Sequence, residues 1–141
     1  MNKWSFEYSF EVDVKNGVIY EKIYGIWREH TARSYHEDFM KEVAPIITRP
    51  WAKLIDLTNW KTSSAEVIGI VGDHLSWCAD HNMVASINII NNPVTYGQLM
   101  RMFAKGATKD ISKTFRTREE GIKALQELGF KVDLQPNGPR N

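Results

Sequence analysis

The chain is poor in the features around which many small catalytic or secreted proteins are built. It has one cysteine, Cys78, in 141 residues, so no internal disulfide can form. No apolar run is long enough to span a bilayer. The opening MNKWSFEYSFEVDV alternates with charges and lacks the apolar centre of a secretion signal. Together these absences point to the cytoplasm. Charge of one sign is also missing. The formal net charge is +1, so no global field draws the protein to nucleic acid or to a membrane surface. There is no phosphate-cradling glycine loop, no GxSxG elbow, no HExxH and no CxxC, which makes an enzyme the less favoured class.

What is present reads as one α/β domain over residues 1–134, followed by a tail, 135–141, of disordered-looking composition. Trp4, Phe6, Tyr8, Phe10, Val12 and Val14 fall on every second position, with Ser5, Glu7, Ser9, Glu11 and Asp13 between them. That period of two predicts a strand with one wet face. Asn16-Gly17 suits a tight hairpin turn, and VIYEKIYGIW reads as the return strand. A helix follows, capped by Thr31 or by Ser34 with Glu37, with Tyr35, Phe39 and Val43 as its buried stripe. AKLIDL, short and apolar on both faces, suits a central parallel strand. A polar turn then leads to a helix from Ser63 to about Asp80, with Ser63 and Glu66 in the spacing of a capping box.

VASINII is a further buried strand. Asn92 and Pro93 suit the cap and first position of a third helix, whose apolar side is Tyr96, Leu99, Met100 and Phe103. ISKTF alternates as a short strand. Thr117 and Glu120 open a last helix, which Gly129 closes. Lys131 to Leu134 reads as a short extended piece. The order ββαβαβαβα predicts a mixed sheet, parallel at its centre, with an N-terminal antiparallel hairpin and helices packed on it.

NGVIYEKIYGIW, WAKLIDLTNWKTSSAEVIGIVGDHL and ISKTFRTREEGIKAL, set in this order, resemble the STAS-like anti-sigma-factor antagonists and, more closely, their SpoIIAA-like branch. The resemblance spans roughly residues 17–129. It implies a protein-interaction or regulatory module without enzymatic activity, acting on a protein partner. In the antagonists an aspartate-bearing strand leads to a helix headed by Asp-Ser-Ser-Gly, whose serine a partner kinase phosphorylates. Asp56 matches the strand aspartate, and Ser63 and Ser64 fall near the helix head as candidate phospho-acceptors. Thr62 and Ala65 stand where that signature has aspartate and glycine. Helix capping accounts for the two serines without a phosphate.

Other constellations stand beside it. The carboxyl ends of the strands deliver Trp27, Arg28, His30, Asn59, Trp60 and Asn91, a candidate pocket for a small or acyl-lipid ligand and hence the alternative reading as a carrier. Residues 99–141 carry 9 Lys/Arg against 5 Asp/Glu, while residues 1–98 carry 9 against 12. Arg101, Lys105 and Lys109 in the basic segment are therefore a candidate docking patch for an acidic partner. His74, Cys78 and His81 share one helical face, but a single helix rarely aims three ligands at one ion, so neither a metal nor a cofactor is expected. The long apolar N-terminal strand, at a sheet edge, predicts a homodimer through the hairpin.

Overall fold

The computed structural model describes residues 7–133. The sequence-predicted strand from Trp4 begins outside them, as does the tail 135–141. Within them, β1 (Tyr8–Asp13) pairs antiparallel with β2 (Val18–Trp27) through a four-residue turn closed by Gly17. Gly17 takes φ +71°, the left-handed conformation that glycine adopts without steric penalty. Asn16 instead uses its side chain, donating Nδ2 to Asp13 at 2.8 Å and to Asp133 at 3.0 Å.

The helix α1 (Glu29–Val43) starts earlier than the Thr31 and Ser34 caps suggested. Thr31 sits inside its first turn, where Oγ1 accepts from the Arg28 amide at 3.4 Å. Strand β3 (Trp51–Ser63) absorbs the expected polar turn. It can do so because its parallel neighbour β2 is also long, and register shifts beside Gly25, at φ +71°, keep the two paired as far as Trp27 and Ser63. Then come α2 (Ala65–Asp80), β4 (Met83–Ile89), α3 (Pro93–Gly106), β5 (Ser112–Phe115) and α4 (Arg118–Glu127). The caps of the last two helices match their sequence signals. Asn92 accepts from the Val94 amide at 2.8 Å, and Thr117 and Glu120 form a reciprocal capping box. Lys131–Asp133 form no strand.

The strands lie in the order β1-β2-β3-β4-β5, with β2 to β5 parallel. One sheet face packs against α1, α2 and α3, the other against α4. Alternation assigns the side chains to the faces. Trp51, Ile55 and Leu57 of β3 point to the three-helix side, Ala52 and Leu54 to α4. Lys53 and Glu21 have the parity of the three-helix side and are each only 2% exposed. Two opposite charges thus lie inside what otherwise reads as a hydrophobic layer.

Candidate functional site

Glu21 projects from β2 between Ile19 and Ile23, and Lys53 from β3 between Trp51 and Ile55. Glu21 Oε2 lies 3.2 Å from Lys53 Nζ, a buried ion pair. The other carboxylate oxygen accepts from the Tyr35 hydroxyl of α1. Lys53 Nζ also stands 3.4 Å from the Tyr35 oxygen and 3.4 Å from His74 Nε2 of α2. Three acceptors therefore surround the ammonium. An ion buried this deeply needs such company, because stripping its water costs several kcal/mol before any pairing is counted.

The chain of contacts continues outward. His74 Nδ1 lies 2.8 Å from His36 Nδ1 of α1, and His36 is half-buried at the surface. Hydrogen-bond logic assigns the protons. Lysine can only donate, so His74 Nε2 is the acceptor and His74 Nδ1 carries the hydrogen. His36 Nδ1 must then accept, and its proton sits on Nε2. The Cys78 thiol, 3.6 Å from His74 Nε2, shares the same lone pair.

Burial dominates the acid–base behaviour here. It raises the Glu21 carboxyl above its usual range, against the opposing pull of Lys53 and Tyr35. It raises the Tyr35 hydroxyl, with Glu21 adding to the effect. The Cys78 thiol is pushed up to about 12. Burial lowers His74 well below an ordinary imidazole, with Lys53 and then His36 adding to it. It also lowers His36, partly offset by Glu37. All of these shifts disfavour charge except where a partner stands opposite.

Beside this cluster is a cavity of about 40 Å³, enough for a water molecule but well short of an acyl chain. Trp27 and Trp60 both line it, together with Lys53, His74 and Asn88. Of the sequence-predicted pocket residues the structure brings these two tryptophans together. Arg28, His30, Asn59 and Asn91 are exposed and line none of it. Trp27 Nε1 donates to the Tyr24 carbonyl at 3.1 Å, and Trp60 Nε1 to Ser63 Oγ at 3.0 Å.

The serine pair takes roles different from the expected cap. Ser63 is the last residue of β3 and is held by Trp60 and by Gln98 of α3, which accepts from its amide at 3.0 Å. Ser64 occupies the N-cap position of α2 but makes no side-chain cap hydrogen bond. Extension of β3 moved the helix start one residue on from the pair Ser63 and Glu66. His74 and Cys78 meet, as their helical spacing implies, but His81 turns away to stack on Trp77, with Nδ1 donating to the Trp77 carbonyl at 2.8 Å. No cluster able to hold a metal ion occurs among the described residues.

The carboxyl edge of the sheet has a different character. Val94 is 64% and Tyr96 44% exposed in the first turn of α3. Tyr96 thus faces solvent where the sequence pattern had placed it on the buried side, and Met102 takes the inward position. Tyr96 lines a groove of about 290 Å³ that runs along Asn92, Phe115 and Arg116. Gln98 ties this end of α3 to the end of β3, donating to Thr62 Oγ1 at 3.0 Å and accepting from the Ser63 amide. Arg101 and Lys105 stand one turn apart on α3, and Lys109 follows in a short 3-10 turn. All three are exposed, and Lys105 lies 3.7 Å from Asp73.

No helix among the described residues is long and apolar enough to cross a membrane. No family model and no curated protein matches the chain. Solved structures do. An uncharacterized protein of the DUF3478 family with a SpoIIAA-like fold, from Shewanella loihica PV-4, superposes with TM-score 0.62 at 15% identity, over 89% of this chain and 98% of that one. An anti-sigma factor antagonist from Mycobacterium paratuberculosis superposes with TM-score 0.57, also at 15% identity, over 85% of this chain and 95% of its own.

Proposed function

We propose that this chain, whose fold is STAS/SpoIIAA-like, is a non-enzymatic regulatory module that binds a protein partner through the carboxyl edge of its sheet. The observation that carries the reading is the exposure of Val94 and Tyr96 beside the groove that reaches Arg116. Apolar and aromatic side chains with a neighbouring arginine are the composition that concentrates binding energy at protein interfaces. Ser64, whose side chain makes no cap hydrogen bond at the α2 head, directly follows the Thr62–Ser63 segment that Gln98 holds, and is where a regulatory phosphate would act, since helix N-termini favour anions. Arg101, Lys105 and Lys109 extend the surface with positive charge and favour an acidic partner. A homodimer through β1, the outermost strand on its side of the sheet, belongs to the same proposal.

Capture from extracts of the native host tests the reading. Wild type and a Val84→Asp control, changed at the opposite end of β4, should retain the same partner. Val94→Asp with Tyr96→Ala should weaken it by at least about tenfold, the loss of one interface anchor. Equal capture by all three proteins would refute the proposed surface.

A second reading, in which a small ligand sits between Trp27 and Trp60, would require this water-sized cavity to open. A saturable quench of tryptophan fluorescence, lost in Trp60→Ala, would support it.

A further inference from the structure

His36 and His74 form the polar seam between α1 and α2, and this seam cannot accept a proton without losing a contact. An Nδ1–Nδ1 approach of 2.8 Å holds one hydrogen and no more. Protonating His36 on Nδ1 while His74 keeps its own Nδ1 hydrogen sets two donors against each other. Moving the His74 hydrogen to Nε2 resolves that conflict but takes an acceptor away from Lys53. Either outcome places a new positive charge close to a buried ammonium.

We propose that the α1–α2 seam is a proton-operated latch: neutral His36 and His74 hold the helices together, and acidification releases α1 and uncovers Trp77. The seam's aromatic packing depends on the same two rings. His74 meets Tyr35 and Phe39 edge-on at 4.8 and 4.6 Å between centroids, and His36 meets Trp77 at 5.6 Å. Every neighbouring element contributes charge. Around His74 are Lys53 of β3, Glu21 of β2, Tyr35 of α1, and Cys78 on its own helix. The open side of His36 faces a groove bordered by Glu29, Arg33 and Glu37 of α1, Glu66 and Asp73 of α2, and Lys105 of α3. Arg33 is bound to Glu29 and Lys105 stands near Asp73, and Glu37 is the carboxylate that draws the incoming proton to His36. Acid enters from the groove, and the buried lysine on the far side makes its arrival disruptive.

The direction follows from burial. Both imidazoles are lowered in the fold, so the stability they confer is complete above the unfolded value of 6.5 and is lost as pH falls below it. Each histidine freed by opening raises the opening equilibrium about tenfold per pH unit below that point, until its folded value is reached.

Histidine side-chain nitrogen NMR at neutral pH reads the tautomers directly. The expected result is a hydrogen on Nδ1 of His74 and on Nε2 of His36. On acidification from about pH 7.5 to about pH 5, His36 and His74 should change together. Trp77 fluorescence should change with them, and the protection of α1 amides, corrected for the intrinsic slowing of exchange in acid, should fall by about tenfold per unit for each histidine released. In His36→Gln an amide that does not titrate can still accept from His74, so the acid response should shrink at least severalfold. The opposite tautomers would overturn the latch, and so would protonation of both histidines with the corrected α1 protection unchanged. These two wild-type readings decide the matter even if the variant does not fold.

Discussion

Replacing Lys53 by methionine should destabilise the domain far more than its loss of contacts suggests. The thioether fills most of the space, so little cavity forms. What remains is Glu21, 2% exposed, with Tyr35 as its hydrogen-bond partner. Breaking a buried ion pair from one side costs about 3–5 kcal/mol. That is a large share of the roughly 5–15 kcal/mol that holds a domain together. For a chain of this length it corresponds to a fall in Tm of roughly 12–20 °C.

The loss should depend on pH with a definite sign. The Glu21 carboxyl is already raised, and losing its largest opposing influence, Lys53, raises it further. A carboxyl raised in the fold confers full stability below its unfolded value of 4.5 and loses it as pH climbs toward the folded value. The gap between wild type and Lys53→Met should therefore widen with rising pH, by up to about 1.4 kcal/mol per unit across the interval between the Glu21 values of the two proteins. Urea denaturation at three pH values reads this. Adding Glu21→Gln to Lys53→Met should recover most of the loss at pH 7. A Lys53→Met protein as stable as wild type at pH 7, or a loss independent of pH and unrescued by Glu21→Gln, would refute the reasoning.

Gly106→Ala should cost about 1–3 kcal/mol, because its methyl would meet the Gly72 carbonyl oxygen where α2 and α3 touch, and neither backbone can retreat. Gly72→Ala should cost a similar amount, since its methyl meets Lys105 Cβ and Cγ, which the α3 backbone holds in place. Thermal melts of both variants read the cost. Intact-mass measurement of protein from resting cells of its native host should show no stoichiometric phosphate on Ser63 or Ser64, and a full phosphate mapped to either in that state would contradict this. Light scattering should give a dimer at tens of micromolar (on the order of what a modest interface needs), reduced to a monomer by a proline at Ser9 of β1. A monomeric wild type would remove the edge-strand pairing from consideration.

Much of the architecture was legible because local signals agreed with the tertiary outcome. Asn92 before Pro93, Thr117 before Glu120, and Gly129 at φ +97° each stand where a helix begins or ends. The polar network was harder to read, because its members lie on four elements, with Glu21 and Lys53 on neighbouring strands and Tyr35 and His74 on separate helices. A signal existed nonetheless. Glu21 shares the parity of Ile19 and Ile23, and Lys53 that of Trp51 and Ile55, so two opposite charges at inward positions of adjacent strands imply a buried pair. The end of β3 misled for a physical reason. Thr58 and Asn59 favour turns, and only pairing with the long, bulged β2 keeps them extended.

Hydrogen–deuterium exchange of the protein with and without its captured partner tests the proposed binding edge most directly. Protection should concentrate on the first turn of α3, the head of α2 at Ser64, and the segment around Arg116. Protection confined to the α1–α2 groove or to β1, with Val94 and Tyr96 exchanging as in the free protein, would contradict it.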